Sequence, residues 1–214
     1  MRLSELSERS GVAPATIKYY LREGLLPPGD RVTATQADYG TAHLQRLKLV
    51  RALIQVGRVP VAAAKEVLAA LDEDSLDHHH RLGIAVEALP NAPEPDREDP
   101  HVRAAREAVD TVIDGLGWQY GGSDPRGSSG AYLTLVAAVS TLTRLGYPCG
   151  PAELAPYAAA AGRVAVTDLD LVEGYPAAEQ VEAAVALTVL YEPVLLSLRR
   201  LAQAQESARR FVRP

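Results

Sequence analysis

Cysteine is nearly absent: the 214-residue chain holds one, Cys149. A lone thiol excludes an intramolecular disulfide and fits a reducing cytoplasm. It also leaves a soft metal ion without the thiolates such ions select. No apolar run reaches 18 residues and no basic-then-apolar leader is visible, so neither a membrane span nor a signal peptide is expected. Histidine is limited to five, three of them consecutive at His78, His79 and His80. Neighbouring side chains on a helix point about 100° apart, so these three do not converge on one ion, and no metal site is expected. After His101 there is no histidine to activate Cys149, and no glycine-rich loop follows a strand to cradle a phosphate. Asp168, Asp170 and Glu173 cluster without ligand-like spacing. No catalytic residue and no cofactor are expected, and the chain does not read as an enzyme.

Lysine is scarce too, with three against nineteen arginines, and the net charge is −5. That total argues against a nucleic-acid partner until its distribution is read. Residues 1–71 carry 10 Lys/Arg and 6 Asp/Glu, a net of +4, whereas residues 72–214 carry 12 and 21, a net of −9. A basic end on an acidic remainder suits a DNA reader joined to a domain that avoids phosphate.

Residues 3–26 read as two short helices joined by a tight turn. Ser4 is placed to cap the first helix, and Glu5 and Glu8 lie in its first turns, where the macrodipole favours carboxylates. Leu3, Leu6, Val12, Ile17 and Leu21 supply a small core. Gly11 suits a left-handed turn, and Pro14 suits the first turn of the second helix. Ala15, Thr16, Lys18, Tyr19 and Arg22 then face outward. This is the pattern of a helix-turn-helix, whose second helix enters a DNA major groove.

Ile17-Lys18-Tyr19-Tyr20 followed by Gly24-Leu25-Leu26-Pro27-Pro28 resembles the signature of the MerR family of bacterial transcription regulators. The likeness continues through Tyr39, His43-Leu44, Arg46-Leu47, Ile54 and Gly57 to about Leu71. It implies a winged helix-turn-helix with a small β-wing over residues 1–71; with the helical spacing read in the rest of the chain, the expected fold is mainly α, with an all-helical C-terminal domain. Helices are expected near 4–10 and 14–22, a wing over 27–40, then two further helices. The later pair is also legible directly, in Leu44, Leu47, Val50, Leu53, Ile54 and again in Val61, Ala64, Val67, Leu68, Leu71.

The resemblance places Lys18, Tyr19 and Tyr20 where relatives meet DNA. Thr16 is suited to a thymine methyl, and Arg22 adds a cation. In the wing, Arg31, Thr33, Thr35, Gln36 and Tyr39 offer donors to phosphate oxygens. Two departures stand out. Lysine replaces the usual arginine at Lys18, removing the fork that reads guanine, and only Tyr39 survives of the family's aromatic wing motif. Tyr20 has an alternative reading as a half-buried core residue. Arg46, Arg51 and Arg58 read as ordinary surface.

A short helix over Ser75–Leu89 and a stretch with four prolines, residues 90–100, form a connecting segment over 72–100. Residues 101–214 read as one all-helical domain for effector binding or dimerisation. Its helices are expected near 102–116, 133–145 and 151–161, with a long last helix from about Ala177 to Phe211; 163–175 is ambiguous. The glycine-rich stretch 118–130 reads as a loop. Trp118, Tyr120, Tyr132, Tyr147, Tyr157 and Tyr191 suggest aromatic walls for a flat organic effector. The metal-sensing branch of the family relies on cysteines near the dimerisation helix, which this chain lacks.

The resemblance further implies a cytoplasmic homodimer on a palindromic promoter site, with double-stranded DNA and RNA polymerase as partners and a small organic effector in control. Two alternatives remain at this point: an architectural or excisionase-like DNA-bending protein without effector, and a protein that binds or sequesters a small molecule.

Overall fold

The computed structural model describes residues 1–33, 36–73, 77–118, 129–176 and 179–211, without the side chains of residues 78, 81 and 82. Two compact units divide the chain. Met1–Ala88 and Tyr175–Pro214 form one, and Leu89–Gly174 the other.

The first unit opens with α1 (Leu3–Ser10) and α2 (Pro14–Glu23). Gly11 between them has φ 67°, and its N–H donates to the Ser7 carbonyl at 2.9 Å. Ser10 Oγ accepts from Val12 N–H, and Arg51 donates to the Ser10 carbonyl at 3.2 Å. The turn is therefore tied to the third helix as well as to itself. Ser4 does not cap α1: the helix begins at Leu3, its cap position is Arg2, and no side chain accepts there.

The wing is a two-stranded antiparallel pair, β1 (Asp30–Arg31) and β2 (Ala37–Asp38), with Asp30 opposite Asp38 and Arg31 opposite Ala37. Two hydrogen bonds of 2.8 Å between the backbone of Met1 and that of Tyr39 fasten the N-terminus to the end of the wing. At its base, His43 Nδ1 accepts from Gly40 N–H at 3.1 Å while Nε2 lies 3.3 Å from the Pro28 carbonyl. With Nδ1 accepting, the ring hydrogen on Nε2 faces the Pro28 carbonyl. A β-carbon on Gly29 would sit 2.6 Å from the Asp38 carbonyl oxygen, so the wing closes only over glycine.

Next come α3 (Thr41–Arg51), a π-helical turn (Ala52–Val56), α4 (Val61–Leu71) and α5 (His78–Glu87). Leu6, Ile17, Leu25, Leu26, Leu47, Val50, Leu53, Val67 and Leu68 are the buried centre. The apolar spacing of the sequence thus lands on one core.

The second unit contains α6 (Pro100–Leu116), α7 (Gly130–Arg144) and α8 (Pro151–Glu173). Val102, Ala105, Val109 and Ile113 of α6 meet Tyr132, Val136 and Val139 of α7. The Asp99 side chain caps α6 through His101 N–H at 2.8 Å and pairs with Arg144. The ambiguous stretch 163–175 continues α8 as far as Glu173, and Pro156 is accommodated inside it. Only Val172 of α8 is buried, so most of its surface is available.

The last helix is α9 (Gln180–Phe211). The sequence pattern assigns it to a domain spanning 101–214, but it groups with the N-terminal unit. Val181, Ala184, Val185 and Val189 are buried, and the helix packs on the π-helical turn and on α5. Beyond Val189 the character changes. Every residue from Tyr191 to Gln205 is exposed, including Val194, Leu195, Leu198 and Leu201. Pro193, which cannot donate a helical hydrogen bond, lies close to that change.

Candidate nucleic-acid interface and a second-unit cavity

On α2, the polar face forms as the helix-turn-helix pattern requires. Leu6 and Ile17 are fully buried and hold the inner side, leaving Lys18 and Arg22 exposed and Thr16 and Tyr19 half-buried. The Arg22 guanidinium lies 5.9 Å from the centre of the Tyr19 ring, a cation–π pairing that orients both groups. A lysine ammonium, a phenol and a guanidinium on one short helix offer donors to phosphate and to base edges.

Tyr20, placed by the resemblance among the DNA contacts, lies on the inner side of α2. At 3% exposure its ring is part of the core, 5.9 Å from the Tyr19 ring and tilted against it. Burial, helped by the neighbouring Tyr19, pushes its phenol above the ordinary value. Two adjacent tyrosines on a helix point in different directions, so one is lost to the interior when the other faces out. Tyr39 is likewise buried, edge-on to His43 at 5.3 Å, and steadies the base of the wing.

Elsewhere in the wing, Arg31 and Thr33 are exposed, and Thr35 lies outside the described residues. Gln36 is half-buried; with its amide oxygen turned toward Arg2 it accepts from Nε at 2.9 Å and Nη2 at 3.2 Å. Arg2 is therefore a further cation at the wing, which sequence spacing did not signal because the contact depends on the N-terminus folding back to Tyr39. Arg46 and Arg51 are structural: Arg46 pairs with Asp72, and Arg51 holds Ser10 and Gln55.

Of the residues expected at an effector site, three come together in the second unit. Trp118, Tyr132 and Tyr157 line a cavity of about 330 Å³ bounded by α6, α7 and α8. Tyr147 lies on a separate, open groove beside Cys149, and Tyr191 stands on α9 of the first unit. Tyr120 lies outside the described residues. Burial, and then the Glu153 carboxylate, push the Cys149 thiol above its ordinary value.

Residues 1–71 match the family model described as MerR HTH family regulatory protein. Over 50 residues the chain is 36% identical to an HTH-type transcriptional regulator, a ZntR homolog of Haemophilus influenzae. That stretch is 23% of this chain and spans 37% of the relative. Over its whole length the chain resembles the crystal structure of SCO5550 from Streptomyces coelicolor A3(2), a candidate transcriptional regulator. The TM-score is 0.84 at 52% identity, covering 100% of this chain and 99% of the other.

Proposed function

We propose that this chain, whose residues 1–71 match the MerR HTH family model, is a transcriptional regulator of that type that acts as a cytoplasmic homodimer on a palindromic promoter site. The observation that carries the reading is the outward face of α2, where Lys18 and the Tyr19–Arg22 pair stand on a helix whose other side is locked into the core. One such helix reads only a few base pairs, and two copies on a two-fold axis double the site.

The second half of α9 supports the pairing. It is an exposed helix with Val194, Leu195, Leu198 and Leu201 on its surface, and a second copy of itself is the partner we assign to it. The 32-residue helix is about 48 Å long at 1.5 Å per residue. Its first half is seated on the DNA-binding unit, so two joined α9 helices would hold two recognition helices at a set separation. By length and composition the helix also contains an 18-residue stretch apolar enough to cross a membrane, with a mean hydropathy of 1.7. Burial of Val181, Val185 and Val189 within the unit, and Glu182 and Glu192 inside that stretch, favour the protein partner.

In this reading the wing and the α2 cations hold the backbone while the dimer distorts the spacer DNA, bringing promoter elements into register for RNA polymerase. A small organic effector in the second unit biases the dimer between two geometries, by no more than its differential affinity for them. The cavity beside Trp118 favours this over a purely architectural DNA bender. No catalytic step is assigned. Footprinting of the chain's own promoter region, combined with sedimentation of the free protein, tests the proposal. A monomer that ignores inverted repeats in low salt overturns it.

A further inference from the structure

We infer that the cavity of the second unit takes a neutral, planar, apolar compound of about two fused rings, which deepens the proposed effector role and rests on it. The inference begins with size. An apolar cavity of ~150 Å³ holds benzene, and this one is about 330 Å³. The space exists because α8 presents Ala158 and Ala161 toward the aliphatic side chains of α6, including Val109 and Ile113. Small residues on one wall and large ones on the other leave a gap rather than an interdigitated core.

Shape comes from the aromatic groups. Trp118 leans on the small-residue surface of α8: its ring would stand 3.6 Å from a β-carbon placed on Gly162. Tyr132 is held from behind, with its hydroxyl donating to Asp110 at 3.1 Å and the Arg106 guanidinium 5.6 Å from its ring. The polar end of Tyr132 is thereby committed to Asp110, and its ring serves as cavity wall. Flat rings at the wall suit a flat occupant.

Charge selects the class. Among the described residues, none lining the cavity carries a carboxylate, ammonium or guanidinium. A charged ligand buried there would lose its hydration without a partner, whereas a neutral ring system loses little. The few polar groups, such as Ser129 and Trp118, suffice for one hydroxyl or carbonyl on the ligand.

Trp118 is the single tryptophan of the chain, so its fluorescence reports directly on the site. The full-length protein is titrated with the neutral dye N-phenyl-naphthylamine. Energy transfer from Trp118 and saturable dye emission are expected. Neutral naphthol should displace the dye, and naphthalene sulfonate should need at least about tenfold more, the penalty of burying its charge. Ala158→Phe should abolish dye binding with unchanged circular dichroism, while Trp118→Phe should remove energy transfer and keep binding. Absence of saturable dye binding, or equal displacement by the sulfonate, overturns the inference. Dye binding that leaves promoter affinity unchanged upholds the cavity and overturns effector control, so the two failures are separable.

Discussion

Gly57 lies directly under Val189: a β-carbon on the glycine would come 2.0 Å from Val189 Cγ1, and 2.9 Å from the Leu53 carbonyl oxygen. The last helix of the chain thus reaches the DNA-binding unit at a point where only hydrogen fits. Gly57 N–H also donates to the Ala52 carbonyl at 2.9 Å, closing the π-helical turn that makes the approach possible. Gly57→Ala should therefore cost about 1–3 kcal/mol, the usual range for overpacking. Thermal or urea unfolding measures it. Val189→Ala in the same chain should recover part of the loss; a neutral Gly57→Ala would show that α9 does not seat there.

Variants at exposed Lys18 and buried Tyr20 test recognition apart from folding. Lys18→Ala should leave stability unchanged, since the side chain is exposed, and should weaken DNA binding. The slope of log affinity against log salt should fall by about one if the contact is to phosphate. Lys18→Arg restores a two-pronged donor and should at least preserve affinity. Tyr20→Ala should instead destabilise by about 3–5 kcal/mol, as for a buried aromatic. A Tyr20→Ala protein that melts like wild type but loses DNA would reverse its assignment to the core.

Glu182 supplies a pH signature. Burial raises its carboxyl above the ordinary value, opposed by Arg46 and reinforced by Glu179 and Asp72. For an acid whose folded value is raised, protonation favours the folded state. Its unfavourable contribution is absent below the unfolded value and develops as pH rises through the folded one. Glu182→Gln should then raise the melting temperature at neutral pH by a small amount, on the order of 1 °C because the group is only half-buried. The difference should vanish in acid, where both side chains are uncharged. A lower Tm for the glutamine variant at neutral pH would mean that the Arg46 interaction dominates.

Leu198 and Leu201 are 58% and 67% exposed, so charge there costs the isolated chain little. Replacing both with glutamate should shift sedimentation from dimer to monomer and reduce promoter binding, with helix content intact. An unchanged dimer would move the seam away from the second half of α9.

Residues 1–71 were legible in the sequence because their determinants are local. Gly11, Pro14 and the spacing of Leu6, Val12 and Ile17 specify two helices and the turn between them within about twenty residues, and their polar face comes from helical periodicity. The wing was legible in outline for the same reason. Tyr20 was not decided locally: helical spacing left both an inner and an outer role open, and the packing of α2 against the rest of the unit chose the inner one.

The amino-acid order alone therefore settled the helix-turn-helix, the split between a basic head and an acidic remainder, and the helical character of the chain beyond the wing. The tertiary structure decided which parts share a core. It returned α9 to the first unit through Val181, Val185 and Val189, and it gathered Trp118, Tyr132 and Tyr157 while leaving Tyr147 and Tyr191 elsewhere. Periodicity reveals that a helix has an apolar face. It carries no information on which distant surface will cover that face, because that choice depends on shape complementarity between segments far apart in the chain.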